Sequence, residues 1–76
     1  MTFGKTLRET RMKRGFTQQA LSDAIGVALR SYQCYEQGTR EPSLELLVVI
    51  ADTLKVPTDF LLGRDLEIVK SFDGFR

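Results

Sequence analysis

Arginine and glutamine side chains recur in one short stretch of the chain at spacings that suit hydrogen bonding to bases. Arg30, Gln33 and Gln37 stand three and four residues apart, so an α-helix would place them on one face. Leu29 shares that face and Cys34 lies on its flank. Arginine and glutamine match guanine and adenine edges in a major groove, and an exposed leucine can contact a thymine methyl. The pattern indicates base recognition, and no catalytic chemistry needs these residue types.

The same stretch, taken as a helix over residues 28–37, has a second face that predicts packing. Its members are Ala28, Ser31, Tyr32 and Tyr35. Tyr32 and Tyr35 could stack on bases, but their spacing turns them inwards and favours core aromatics with hydroxyls at the edge. Cys34 could be a redox sensor. Because Arg30, one turn back, is its only basic neighbour, a small neutral side chain is the preferred interpretation.

A shorter helix precedes this one and has the signals needed to position it. Thr17 can cap it through its hydroxyl, and apolar residues follow at helical spacing as far as Ile25. Gly26 accepts the left-handed backbone that ends a helix, and Val27 can fill the corner between two steeply crossing helices. Gln18 and the amides at the helix start can hold phosphate, which would fix how deeply the second helix enters a groove.

Residues 3–63 resemble the helix-turn-helix domain of the lambda-repressor and Cro-like family, also called XRE. The matching positions keep one register over about four-fifths of the chain. They are Gly15, Thr17-Gln18, Leu21, Gly26-Val27, Tyr35-Glu36, Gly38, Pro42-Ser43, Leu47, Ile50-Ala51, Leu54, Val56, Asp59 and Leu61-Leu62-Gly63. The resemblance implies an all-α, five-helix DNA-binding domain at residues 1–63, followed by a short apolar C-terminal tail at residues 64–76.

The resemblance also implies roles for single residues. Arg11 and Glu36 match an arginine–glutamate pair of the family, which would be a partly buried ion pair joining the first helix to the end of the recognition helix. Thr10 stands where the family usually has leucine, so the first helix should bury less. Ala28 stands where a serine or threonine often caps the recognition helix, a deficit of about 1 kcal/mol.

Two groups of DNA-contacting residues follow from these patterns. The loop before Pro42 carries Arg40, and its amides can face phosphate. The predicted phosphate contacts are Thr17, Gln18, Ala28 and Arg40. The predicted base contacts are Leu29, Arg30, Gln33, Cys34 and Gln37.

Charge is divided unevenly along the chain. The net charge is only +1, which is far from the strongly basic balance expected of a DNA-binding protein. Residues 1–40 carry seven basic and three acidic side chains, a net of +4, whereas residues 41–76 carry four basic and seven acidic ones, a net of −3. This asymmetry suits an oriented encounter with a polyanion, and a solvated basic face is the alternative.

Composition argues against several other classes of protein. A chain of 76 residues makes one domain, and its one cysteine and lack of histidine remove the usual partners of metal and thiol catalysis. There is no phosphate-cradling glycine loop, so we expect no enzyme activity, metal or cofactor. No apolar run reaches the roughly 20 residues that span a bilayer, and no signal segment is present, so a cytoplasmic protein is expected.

The second half of the chain predicts further helices and an interface. A fourth helix over residues 44–55 should turn Leu44, Leu47, Val48, Ile50, Ala51 and Leu54 towards the core. Leu46 and Val49 would then remain exposed, and with Phe72 of the tail they are the predicted dimer interface. A fifth helix should follow at residues 58–62. The tail fits a strand, a helix or a segment that becomes ordered on a partner.

These observations predict a sequence-specific regulator of transcription, with a repressor as the preferred type, that binds double-stranded DNA. A homodimer would place two recognition helices about 34 Å apart on a near-palindromic operator. The alternative is a protein-interaction module, similar to an antitoxin, that binds a partner through the tail and the patch at Leu46 and Val49.

Overall fold

The computed structural model describes residues 3–62 as a bundle of five α-helices. They are α1 (Phe3–Lys13), α2 (Gln18–Ile25), α3 (Leu29–Gln37), α4 (Leu44–Leu54) and α5 (Thr58–Leu61). The predicted all-α class is confirmed, and none of these helices is long and apolar enough to cross a membrane. The predicted tail at residues 64–76, including Phe72, lies outside the described residues.

Local sequence signals account for where these helices begin and end. The hydroxyl of Thr17 accepts a hydrogen bond from the amide of Ala20 at 3.0 Å, as predicted for the cap of α2. Gly26 ends α2 in the left-handed conformation, with φ of 79°. Lys55 takes the same conformation and ends α4 one residue earlier than predicted. The turn between α2 and α3 therefore contains only Gly26, Val27 and Ala28.

The core lies where all five helices meet. Its buried apolar residues are Leu7, Leu21, Ile25, Tyr32, Tyr35, Leu47, Ile50, Ala51, Leu54 and Leu61. Thr10, which stands where the family usually has leucine, is also buried in spite of its hydroxyl. α3 packs against α1 on one side and α2 on another, while α4 packs against α2 and α5. The remaining side of α3 is left facing outwards.

α4 is rotated relative to the sequence prediction. Leu44 is 76% exposed and Val48 is 42% exposed, so the prediction that both enter the core is wrong. Leu46 was predicted to be exposed, and instead it is half-buried against the core. Val49 is exposed as predicted. Because α4 is apolar around most of its circumference, hydropathy alone did not fix which stripe faces inwards.

α1 and α3 approach closely at Gly4. A Cβ atom added at this residue would overlap the carbonyl oxygen of Glu36 and lie 2.8 Å from that of Tyr35. Only glycine allows the backbone of α1 to lie so near the C-terminal end of α3. This contact holds the C-terminal end of α3 against α1.

Candidate nucleic-acid interface

The outward-facing side of α3 carries the residues predicted to contact bases. Arg30 and Gln37 are exposed, and Leu29, Gln33 and Cys34 are half-buried. On the opposite side Tyr32 is fully buried and Tyr35 nearly so, which confirms that the two tyrosines face the core. α3 is therefore anchored by its aromatic side and presents its polar side to solvent.

Five polar side chains join α1, α2 and α3 beneath this surface, and we call them the Glu36 network: Arg11, Gln18, Tyr32, Gln33 and Glu36. Nε of Arg11 donates to Oε2 of Glu36 at 2.6 Å, which confirms the predicted ion pair. The hydroxyl of Tyr32 donates to the same oxygen. Nε2 of Gln18 donates to Oε1 of Glu36 at 2.9 Å, and Nε2 of Gln33 donates to Oε1 of Gln18 at 3.2 Å.

The network sets the charge state of its members. Burial alone would raise the pKa of Glu36, but the hydrogen bonds that it accepts outweigh burial, so this pKa lies below its ordinary value. Burial and the hydrogen bond to Glu36 raise the pKa of Tyr32. Arg11 makes a further hydrogen bond from Nη1 to the carbonyl oxygen of Phe16 at 2.8 Å. Glu36 is thus ionised and Tyr32 neutral at physiological pH.

A polar groove of about 410 Å³ opens above the Glu36 network. Its lining residues are Arg8, Arg11, Gln18, Gln33, Glu36 and Gln37. The groove brings Gln18, predicted to bind phosphate, together with Gln33 and Gln37, predicted to contact bases. Arg8 is exposed at this groove. The sequence places the basic residues of the first helix, Arg8 among them, within reach of phosphate, although Arg8 was not named individually as a contact.

The other predicted contact residues do not line this groove. Thr17 and Ala28 are exposed at the starts of α2 and α3, and Ala28 caps α3 without any side-chain hydrogen bond, as predicted. Arg40 is exposed in the connection between α3 and α4. All three are accessible to solvent, and their contact with phosphate stays a prediction.

Comparison with known proteins gives consistent matches. A family model described as Helix-turn-helix matches residues 7–61. The SPbeta prophage-derived HTH-type transcriptional regulator YonR of Bacillus subtilis is 40% identical over 60 residues, which are 79% of this chain and 56% of YonR. The chain spans about half the length of the curated relatives it matches.

Two solved structures share the fold at higher coverage. The restriction-modification controller protein C.AhdI from Aeromonas hydrophila is 30% identical with a TM-score of 0.74, over 78% of this chain and 89% of that protein. The P22 c2 repressor, solved in complex with synthetic operator 9T, is 29% identical with a TM-score of 0.79, over 86% of this chain and 98% of that protein.

Proposed function

The chain belongs to the XRE-type helix-turn-helix family, and on that premise we propose that it is a transcriptional regulator that binds double-stranded DNA sequence-specifically. One observation carries the proposal. α3 is anchored by Tyr32 and Tyr35 and turns Arg30, Gln33 and Gln37 outwards. The likeness to a repressor solved with its operator supports this orientation of α3 towards DNA. We propose that it acts in the cytoplasm, where it would have access to DNA.

The proposed mechanism separates positioning from base recognition. Thr17 and Gln18 lie at the start of α2, where free backbone amides and the helix dipole favour a phosphate. Arg8 and Arg40 would contact phosphates on either side, since both are exposed cations on the basic half of the chain. These contacts fix the depth of α3 in the major groove, and Arg30 then reaches a base edge.

A homodimer on a near-palindromic operator is part of the proposal. Val48 and Val49 are adjacent exposed valines on α4, a helix that carries none of the residues proposed to contact DNA, and a second copy of the chain would remove them from water. Two-fold symmetry would then place half-sites about one helical turn, roughly 34 Å, apart. We propose repression as the outcome, because a protein bound at such an operator blocks other proteins from the same DNA.

A protein-interaction module is the second candidate, and a specific surface favours it. An apolar groove of about 290 Å³ lies beside the start of α4. Its lining residues are Phe3, Glu41, Pro42, Leu44, Leu47 and Leu62. Leu44 is 76% exposed there, so its side chain is accessible to a partner. A partner side chain could fill this groove while α3 remains free to bind DNA.

Selection from a random-sequence DNA pool, followed by gel shifts, tests the main proposal. The wild-type chain should enrich one motif. Arg30→Ala should cost about 1 to 3 kcal/mol of binding free energy and remove discrimination at a single base pair, most simply a guanine. An interaction module alone would enrich no motif, and that result would contradict DNA recognition.

Arg40→Ala is the matched control for Arg30→Ala, since it also removes one exposed arginine. A phosphate contact carries no sequence information, so Arg40→Ala should weaken binding to all sequences alike. The slope of log Kd against log salt should fall by about one unit for this one charge. If Arg40→Ala changes the motif and Arg30→Ala does not, the proposed placement of α3 in the groove is wrong.

A further inference from the structure

We propose that the chain's own residues 66–70 dock in the apolar groove beside the start of α4. Docking there is independent of the proposed DNA binding. The protein-interaction candidate above assigns the same groove to a separate protein. The structure describes the chain as far as Leu62, which itself lines the groove, and the residues that follow supply apolar side chains of their own.

The groove offers an apolar surface that the described residues leave open to solvent. Leu44 is 76% exposed, and Phe3 and Leu62 are only half-buried beside it. These three side chains belong to α4, to α1 and to the end of α5, so the groove lies where three elements meet. An occupant that removes Leu44 from water gains free energy in proportion to the apolar area that it covers.

The chain beyond Leu62 starts within reach of every part of this groove. Leu66 and Ile68 follow Leu62 by four and six residues. An extended backbone spans at most about 14 and 22 Å over those separations. Because Leu62 lines the groove, both side chains can return to a cavity of about 290 Å³ without any change in the helices.

Tethering favours this segment over a separate protein. A segment joined to its site by a few residues has an effective concentration on the order of millimolar. A separate partner at micromolar concentration must therefore bind roughly a thousandfold more tightly to displace it. Leu66, Ile68 and Val69 supply the apolar side chains, and Lys70 follows them directly. Glu41 is the charged residue in the groove lining, so Lys70 has a carboxylate of opposite sign near the site.

A docked tail regulates access to the groove. Any protein that binds at Leu44 has to displace residues 66–70 first, so the tail acts as a competitor within the chain. The groove also borders the candidate nucleic-acid interface in sequence, since Glu41 follows Arg40 and Phe3 precedes Gly4. Docking thus adds contacts to the loop that carries Arg40 and to the start of α1.

The test is the rate at which trypsin cleaves the full chain after Lys70, followed by mass spectrometry. A synthetic peptide of residues 63–76 gives the rate for an undocked tail. The full chain should be cleaved at least about tenfold more slowly than the peptide, because cleavage requires the tail to leave the groove. The rate constant should not depend on the concentration of the chain, since the segment and its site belong to one molecule.

Two substitutions address the two sides of the contact. Leu44→Gln should raise the cleavage rate by about tenfold, the factor that burial of part of one leucine side chain supplies. Leu66→Ser should have a similar effect from the side of the tail. Because Leu44 is largely exposed to the described residues, its variant should remain folded, which circular dichroism verifies. Leu44→Ala replaces it if it unfolds.

Met12→Gln is the matched control for Leu44→Gln. Met12 is also an exposed apolar residue of a helix, at 58%, but it does not line the groove. This variant should keep the slow cleavage after Lys70. An equal acceleration by Met12→Gln and Leu44→Gln would show that loss of surface hydrophobicity alone exposes the tail.

Three further results would overturn the inference. Cleavage of the full chain as fast as that of the peptide would show that the tail leaves the groove open. Protection that increases with protein concentration would assign the groove to a second copy of the chain. Protection that persists in both Leu44→Gln and Leu66→Ser would place the tail elsewhere. Each of these results leaves the proposed DNA recognition standing, since that is tested by selection of a motif.

Discussion

Glu36 accepts hydrogen bonds from side chains of all three helices at the candidate interface. Arg11 belongs to α1, Gln18 to α2 and Tyr32 to α3. Only 5% of the Glu36 side chain and 10% of the Arg11 side chain is exposed. Loss of either partner would therefore leave the charge of the other buried and unpaired. Glu36 therefore controls both the stability of this corner of the fold and the orientation of Gln18.

Glu36→Gln should destabilise the protein at neutral pH and much less in acid. The pKa of Glu36 is lower in the folded protein than its ordinary value of 4.5, so its contribution to stability is complete above that value. It is lost as the pH falls through the folded pKa, because protonation then removes the ion pair. We expect the wild type to exceed Glu36→Gln by about 3 kcal/mol in the free energy of unfolding at neutral pH. Urea unfolding at several pH values measures this difference.

Glu9→Gln provides the control, since Glu9 is an exposed carboxylate on α1. It should change the free energy of unfolding by less than about 0.5 kcal/mol. If the difference between the wild type and Glu36→Gln stays constant from neutral pH to acid, the carboxylate does not act through its charge.

The sequence predicted which side of α3 is buried better than it predicted contacts between helices. Helical spacing placed Tyr32 and Tyr35 inside, and family resemblance supplied the Arg11 to Glu36 pair. The bond between Gln18 and Gln33 was not predicted, because it joins two helices and depends on side-chain directions that spacing along one helix does not contain. Both residues were nevertheless singled out for DNA contact, a role that stays a prediction.

At the scale of whole elements, the orientation of α3 is determined by its packing on α1 and by the residues at its two ends. Gly4 lets α1 lie against its C-terminal end, and Gly38 ends it in the left-handed conformation with φ of 85°. Its start is weaker, since Ala28 offers no side-chain cap. The orientation of the candidate recognition helix thus depends on a close backbone contact at one end and on tertiary packing at the other.

Gly4→Ala should destabilise the fold, although alanine is ordinarily the better residue within a helix. The added methyl group would meet backbone oxygens of Glu36 and Tyr35, which cannot rotate away. We expect a loss of about 1 to 3 kcal/mol in the free energy of unfolding, typical of overpacking. Thermal and urea denaturation measure it. A stabilised variant would show that α1 and α3 are not in close contact.

Ala28→Ser should stabilise the protein by about 1 kcal/mol. Ala28 already has the extended backbone of a capping residue, with φ of −67° and ψ of 147°, so a serine hydroxyl could accept from a free amide of α3. Thr17→Ala is the reverse control, because it removes an existing cap from α2 and should cost a similar amount. If Ala28→Ser has no effect on urea unfolding, those amides are already satisfied.

Element boundaries were predicted to within a residue or two, because the capping residues and glycines are local signals. The rotation of α4 about its axis was not predicted correctly. Its sequence contains apolar residues at every position from Leu46 to Ala51, so several stripes could have faced the core. Contacts with α2 and α5 decide among them, and those contacts are not encoded in the periodicity of α4 itself.

At the scale of the whole molecule, exposed apolar residues of α4 form part of the proposed homodimer interface. Val49→Glu should abolish dimerisation if the proposed two-fold interface includes this face of α4, since a carboxylate would be buried there without a partner. Sedimentation equilibrium at micromolar concentration should show the wild type as a dimer and the variant as a monomer with weaker binding to the full operator. Glu45→Gln, an exposed change on the same helix, is the control. Equal association and equal DNA affinity of all three chains would exclude this interface.

The hydrogen bond between Gln18 and Gln33 has a consequence for how related regulators diverge. A change at Arg30 alters one contact and leaves its neighbours intact, so new operators can be reached there by a single substitution. A change at Gln33 also removes the side-chain donor to the carbonyl oxygen of Gln18, so it alters two side chains at once. Among close relatives with different operators, the residue matching Arg30 should therefore vary more freely than the residue matching Gln33.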